Sequence, residues 1–288
     1  MRTSLLPRQA RAPDATLALD ATSRATIEPR LGIRPPLKWA GGKRWQVPFV
    51  RDLWRGHEDR RLVEPFCGGL AITLSLLPKR AIVNDVNPHL MNFYRWVKRG
   101  LVTRLPMDYD EDRYYRHRDR FNGLLQRGKE TSREAASLFY YLNRTGYNGL
   151  CRFNSSGEFN VPFGRYTTVN YTRDFSSYRP VVAGWQFTCG DFTKIALRPG
   201  DFIYADPPYD VEFTHYSKDG FTWDDQLRAA EWLSRHQGPV VLSNQATPRI
   251  VKLYKSLGFA LRYLQAPRLI SCNGDRTPAK EVLALKNF

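Results

Sequence analysis

Residues 61–97, RLVEPFCGGLAITLSLLPKRAIVNDVNPHLMNFYRWV, decide the fold. Arg61–Phe66 is a short apolar run ending near a glycine pair, Gly68-Gly69, and the apolar stretch Leu70–Leu77 that follows is stopped by Pro78. Ala81–Asp85 is the next strand candidate. Asn87 then caps a helix with Pro88 at its first position, and Leu90, Phe93, Tyr94 and Val97 recur at helical spacing. A strand–helix–strand–helix order is what a parallel sheet with crossover helices requires. The expected class is α/β.

Downstream, strand signals return at Val181–Thr188, Asp201–Asp206 and Pro239–Ser243, with a helix at Asp225–His236 ended by Gly238. Phe259–Gln265 and Lys280–Leu285 read as an antiparallel pair at one sheet edge. In between, the chain is rich in charge and aromatics, and only Arg133–Leu142 there reads clearly as a helix. The expected organisation is therefore one α/β domain over 34–97 and 174–288, interrupted by an insertion over 98–173. Residues 1–33 lack apolar periodicity and a hydrophobic signal core, and read as a disordered basic tail or a start assigned too early. Asp14, Asp20 and Glu28 argue against an organelle transit peptide.

With 42% hydrophobic and 25% charged residues, the 288-residue chain belongs with globular proteins, not disordered ones. No apolar run approaches the roughly 20 residues that span a bilayer. Cys67, Cys151, Cys189 and Cys272 show no paired CxxC spacing, which excludes a zinc ribbon and fits a reducing cytosol. The balance of 44 Lys+Arg against 28 Asp+Glu, a net +16, suits a polyanionic partner, DNA or RNA before a membrane surface.

Asp206-Pro207-Pro208-Tyr209 follows the apolar run Phe202–Ala205 directly. In open parallel sheets ligands bind beyond the carboxyl ends of the strands, so this tetrapeptide lies where chemistry happens. Two prolines stiffen the backbone and offer no N–H, leaving the Pro207 carbonyl as a rigid acceptor beside the Asp206 carboxylate, with Tyr209 as a flat face. A planar base with an exocyclic amine matches that set: its two N–H groups are accepted while its ring stacks. Glu64–Gly69 is a strand running into a glycine turn, and Asp85 ends the next strand, where it can bind ribose hydroxyls. A nicotinamide dinucleotide site has a similar outline, but the GxGxxG spacing is missing, which favours a nucleoside without a pyrophosphate. Lys38–Lys43 (KWAGGK) reads as a glycine loop with a basic flank or a phosphate grip, and lacks P-loop spacing. Phe139–Tyr166 interleaves aromatics with Arg144, Arg152 and Arg165; this is either a base- and phosphate-contacting surface or a small core with a basic rim, and the net charge favours DNA.

These four segments, in this order, resemble the Dam-type family of DNA adenine-N6 methyltransferases from about Pro36 to Leu285. The matching stretches are LKWAGGK (37–43), VEPFCGG (63–69), NRTGYNGLCRFNSSGEFNVPFGRY (143–166), DPPY (206–209), VLSN (241–244) and the final SCNGDR…EVLAL. The resemblance implies a Rossmann-like S-adenosylmethionine methyltransferase sheet carrying a mainly helical target-recognition domain. It assigns Trp39, Lys43, Phe66, Asp85, Asp191 and Asp206 to the methyl donor, and Asp206, Pro207 and Tyr209 to catalysis. Lys38, Tyr147, Asn148, Leu150, Arg152 and Pro162 fall to DNA, with Tyr147 helping to open the duplex; the interleaved pattern of 139–166 adds Arg144 and Arg165 to the DNA-binding set. The resemblance further implies double-stranded GATC as target, a flipped adenine whose N6 attacks the methyl sulfonium in line, N6-methyladenine as product, no metal, and a cytoplasmic monomer. Whether a restriction nuclease accompanies it is left open. One departure stands out: the family often has a glycine where this chain has Leu70. Cytosine-N4 or RNA-adenine methylation and a catalytically silent DNA-binding protein are the rival readings.

Overall fold

The computed structural model describes residues 33–210, 220–266 and 279–288. The expected tail, apart from its last residue, and the SCNGDR stretch lie outside the described residues. In chain order the described elements are α1 (Val47–Trp54), β1 (Leu62–Glu64), α2 (Ala71–Leu76), β2 (Ala81–Asp85), α3 (Pro88–Lys98), α4 (Glu111–Gln126), α5 (Arg133–Thr145), α6 (Arg179–Val182), β3 (Trp185–Cys189), β4 (Phe202–Ala205), α7 (Trp223–Ser234), β5 (Val240–Gln245), α8 (Pro248–Ser256), β6 (Ala260–Ala266) and β7 (Ala279–Lys286). The helix starts are written locally. The Asn87 side chain accepts from the backbone of His89 and Leu90 with Pro88 in the first turn, and Thr222 and Asp225 cap α7 reciprocally.

The strands form one sheet in the order β3-β2-β1-β4-β5-β7-β6. The first five are parallel, and β7 runs antiparallel to both β5 and β6. This is the Rossmann-like α/β sheet expected. Side-chain alternation splits its two faces: Phe202 and Tyr204 of β4 join one apolar cluster with α1, α3 and α5, while Ile203 and Ala205 join a second with α7 and α8. A sheet covered on both faces explains why β1 and β4 are apolar nearly throughout rather than alternating. Chain direction reverses its lateral order at β1, which has β2 on one side and β4 on the other. Ligands of open α/β sheets bind at such a switch point.

Residues 98–173 carry α4 and α5, with only isolated bridges of strand type. Their aromatic residues pack onto the sheet's own helix: the Phe93 and Tyr140 rings stack at 5.5 Å, and Phe175 meets both edge-on. Residues 33–288 form one compact unit. The helix α4 went unread in the sequence because it is mostly polar, its buried side a sparse Tyr114, His117, Phe121 and Leu124. The expected strand at Val181–Thr188 begins only at Trp185, because Pro180 opens the short helix α6 in front of it. Helices α1 and α8, also unread, each begin with a proline in the first turn.

Candidate active site

Asp206-Pro207-Pro208-Tyr209 leaves the carboxyl end of β4 at the switch point, next to the glycine turn after β1. The buried ammonium of Lys43 lies 3.6 Å from Asp206 Oδ1, 3.6 Å from Glu281 Oε1 and 4.1 Å from the centre of the Tyr209 ring. Asp206 Oδ1 is itself buried and accepts no hydrogen bond from the described residues. Burial pushes the Asp206 carboxyl up to about 7; the Lys43 charge opposes this and that of Glu281 adds to it. Neighbouring backbone is pinned from behind: Gln226 of α7 donates to the Pro208 carbonyl at 2.7 Å, and Asn244 of β5 donates to Gln226 at 3.0 Å.

The glycine turn forms the other wall. The Trp39 indole lies against it so closely that a Cβ added at Gly68 would meet Trp39 Nε1 at 2.5 Å, and one at Gly69 would meet Trp39 Cβ at 2.7 Å. Asp85 accepts from the backbone N–H of Gly68 and of Asn87, each at 3.0 Å, so it orients the turn while keeping lone pairs unused. Leu70 has φ 61°, a left-handed conformation that glycine adopts without strain. That conformation costs about 1–2 kcal/mol, and burial of the leucine side chain returns about as much or more; Leu70 is 2% exposed. Phe66 packs on Phe192 at 5.2 Å. Asp191 is committed elsewhere, capping Thr193 and pairing with Arg228 at 2.8 Å; the hydrogen bond from Thr193 leads the causes that hold its carboxyl down at about 2.

Residues 143–166 stand on the end of α5. The Asn143 amide grips the Lys38 backbone twice, accepting from its N–H at 2.9 Å and donating to its carbonyl at 2.7 Å. Lys38 Nζ donates to the Arg144 carbonyl and sits 3.2 Å over the Tyr166 ring; burial, helped by the Arg144 charge, lowers it to about 8. Tyr147 is exposed at the tip beside Asn148, whose φ is 51°, and its N–H donates to the carbonyl of exposed Pro162. The guanidinium of exposed Arg152 is held by the Asn160 side chain at 2.8 Å. Arg144 Nε donates to the Asn170 carbonyl, Leu150 is half-buried and Arg165 is exposed.

The family model for the D12 class N6 adenine-specific DNA methyltransferase matches residues 39–268. The chain belongs to this family. It is similar to the DNA N-6-adenine-methyltransferase of Escherichia phage P1, with 36% identity over 272 residues, 88% of this chain but 35% of that protein. It thus spans about a third of that relative's length. It is also similar to the Retron Ec67 DNA adenine methylase of Escherichia coli, 35% identical over 86% of this chain and 90% of that one. The DNA adenine methylase of Escherichia coli K12 is 34% identical, over 86% and 94% respectively.

In this D12-class methyltransferase the sequence reading missed the groups behind the motif. Glu281 accepts from Tyr209 Oη at 2.6 Å and from Gln46 Nε2 at 2.7 Å, while Ser243 lies 3.0 Å from the same tyrosine oxygen. Gln46 also accepts from Tyr204 Oη. One signal was available: in Lys280–Leu285 the strict alternation puts Glu281 on the same face as Leu283 and Leu285, and an acid on a buried strand face needs a partner. Among the described residues no group of His, Cys, Asp and Glu has the makings of a metal site, and no helix is long and apolar enough to cross a membrane.

Proposed function

We propose that this chain methylates N6 of an adenine rotated out of double-stranded DNA, with S-adenosylmethionine as donor and GATC as the target. The observation that carries the reading is the buried Lys43–Asp206–Tyr209 cluster, in which one carboxylate oxygen has no hydrogen-bond donor among the described residues. The residues suit the donor: Asp85 has lone pairs for ribose hydroxyls, the glycine turn with Trp39 admits close approach, and Phe66 adds an apolar wall. When bound, S-adenosylmethionine supplies an activated methyl group. The protein's share is orientation and polarisation. Asp206 and the Pro207 carbonyl accept hydrogen bonds from the two N6–H groups, which draws the nitrogen lone pair out of ring conjugation, and Tyr209 supports the ring. Lys43 favours the ionised form of Asp206 on which acceptance depends.

Adenine N6 is unreachable inside the stack, so the base has to leave it. Tyr147, exposed at the loop tip, is suited to fill the gap. Lys38, Asn148, Leu150, Arg152 and Pro162 read base edges, and Arg144 and Arg165 add cationic contacts to phosphate. In this reading the segment 98–173 is the target-recognition part, and the enzyme acts as a monomer in the cytoplasm. Incubation with S-adenosylmethionine and unmethylated plasmid, followed by nucleases that distinguish methylated from unmethylated GATC, tests it. Protection at GATC is expected. Unprotected GATC on a plasmid that has nonetheless gained methyl groups would discard the recognition assignments.

A further inference from the structure

The transfer site rests on an acid that lies outside its motif. Glu281 is 6% exposed on β7, between β5 and β6 in the sheet. Its Oε2 accepts from Tyr209 Oη and Gln46 Nε2, and its Oε1 faces the Lys43 ammonium. The single lysine is shared evenly, 3.6 Å from Glu281 and 3.6 Å from Asp206. Tyr209 is thus tied at its hydroxyl, and the cation that favours ionised Asp206 is tied by the same carboxylate. A buried ionised pair is worth keeping only when further hydrogen bonds satisfy it, and here Gln46 and Tyr209 do so.

We propose that Glu281 is a positioning residue for methyl transfer: its carboxylate fixes the Tyr209 ring and the Lys43 ammonium relative to Asp206. The inference rests on the proposed reading of Asp206 and Tyr209 as the groups that hold the target adenine. It assigns a task to β7, whose Val282, Leu283, Ala284 and Leu285 serve packing. Displacing a catalytic constellation by about an ångström costs on the order of a hundredfold in rate.

Among the described residues, the titratable groups coupled electrostatically to the Asp206 carboxyl are Lys43 ahead of α1, Glu64 of β1, Tyr204 of β4, Tyr209 in its own motif, Tyr254 of α8 and Glu281 of β7. Glu281 pushes the Asp206 carboxyl up and Lys43 pulls it down. Glu281→Gln keeps the shape and an acceptor for Tyr209 but removes the charge, so Lys43 pairs with Asp206 alone and both changes lower the Asp206 midpoint. Carbon-13 titration of the Asp206 carboxyl in the protein without cofactor, assigned with Asp206→Asn, reads this directly. Steady-state transfer reads the positioning. Expected are a lower Asp206 midpoint and kcat reduced by about tenfold to a hundredfold. An unmoved midpoint, or kcat within about twofold of the wild type, overturns the proposal. If Glu281→Gln does not fold, Tyr209→Phe probes the contact from its other end: about tenfold loss of kcat is expected, and wild-type kcat overturns the tether. A wild-type enzyme that leaves adenine unlabelled would sink the proposed function instead, with the carboxyl titration still readable.

Discussion

The proposed transfer site and the proposed recognition segment use the same chemical groups, carboxylates, amides, tyrosines and cations, in opposite surroundings. Around Asp206 these groups are buried and arrive from several elements: Lys43 and Gln46 before α1, Ser243 from β5, Glu281 from β7. Around Arg152 they are exposed and held by near neighbours such as Asn160. Burial makes charge coupling strong and geometry rigid, which suits a reaction whose demands are the same at every target. Exposure leaves side chains free to meet a partner's surface, which suits reading a sequence. Two strategies serve one enzyme, and Lys38, gripped by Asn143 and adjacent to Trp39, joins them.

The comparison breaks most easily at Asp206. Asp206→Ala removes the proton acceptor and is expected to lower kcat by about a thousandfold, with the thermal melt showing an intact fold; near-normal turnover would leave the buried cluster without its assigned task. In the exposed segment, Arg152→Ala is expected to leave the rate on the correct site largely intact while discrimination at one base pair falls by about 1–3 kcal/mol, measured as kcat/KM on single-substituted duplexes. Loss of kcat with unchanged discrimination would move Arg152 into the catalytic group.

The pH dependence sharpens the contrast. The Asp206 carboxyl, raised to about 7 in the free protein, must be ionised to accept a proton, so kcat/KM is expected to rise with pH through about 7 and level off above it. A profile flat from mildly acid to alkaline pH would contradict that coupling. The smallest effect concerns Glu64, which is buried against Thr73 and pushed up by burial from 4.5 to about 8. Its folded form holds the proton more tightly than the unfolded chain. That contribution to stability is complete below about 4.5 and is lost as pH climbs through about 8. Glu64→Gln is therefore expected to flatten the fall in melting temperature across this range, and an unaltered slope would show that Glu64 does not set it.

Local signals made the sheet legible. Ala81–Asp85 is a strand at the positions read from its apolar run, and α3 starts at Pro88 under the Asn87 cap, because both depend on nearby residues. The polar helix α4 was illegible for the converse reason: its sparse aromatic side is recognisable as a core face only when α5 and the 153–163 stretch lie against it. Within the site, Asp206 and Tyr209 could be read from their motif and their place after a strand. For Glu281 the alternation of its strand signals only a buried acid that needs a partner; which partners it has depends on contacts with residues 72 and 235 positions away in the chain.

The most direct test of the central claim is the identity of the methylated nucleoside. Plasmid DNA incubated with labelled S-adenosylmethionine and this protein is digested to nucleosides and separated. The account predicts label in N6-methyladenine for the wild type and its loss in Asp206→Ala. Label in N4-methylcytosine, or no label from a folded protein that binds the donor, would contradict it.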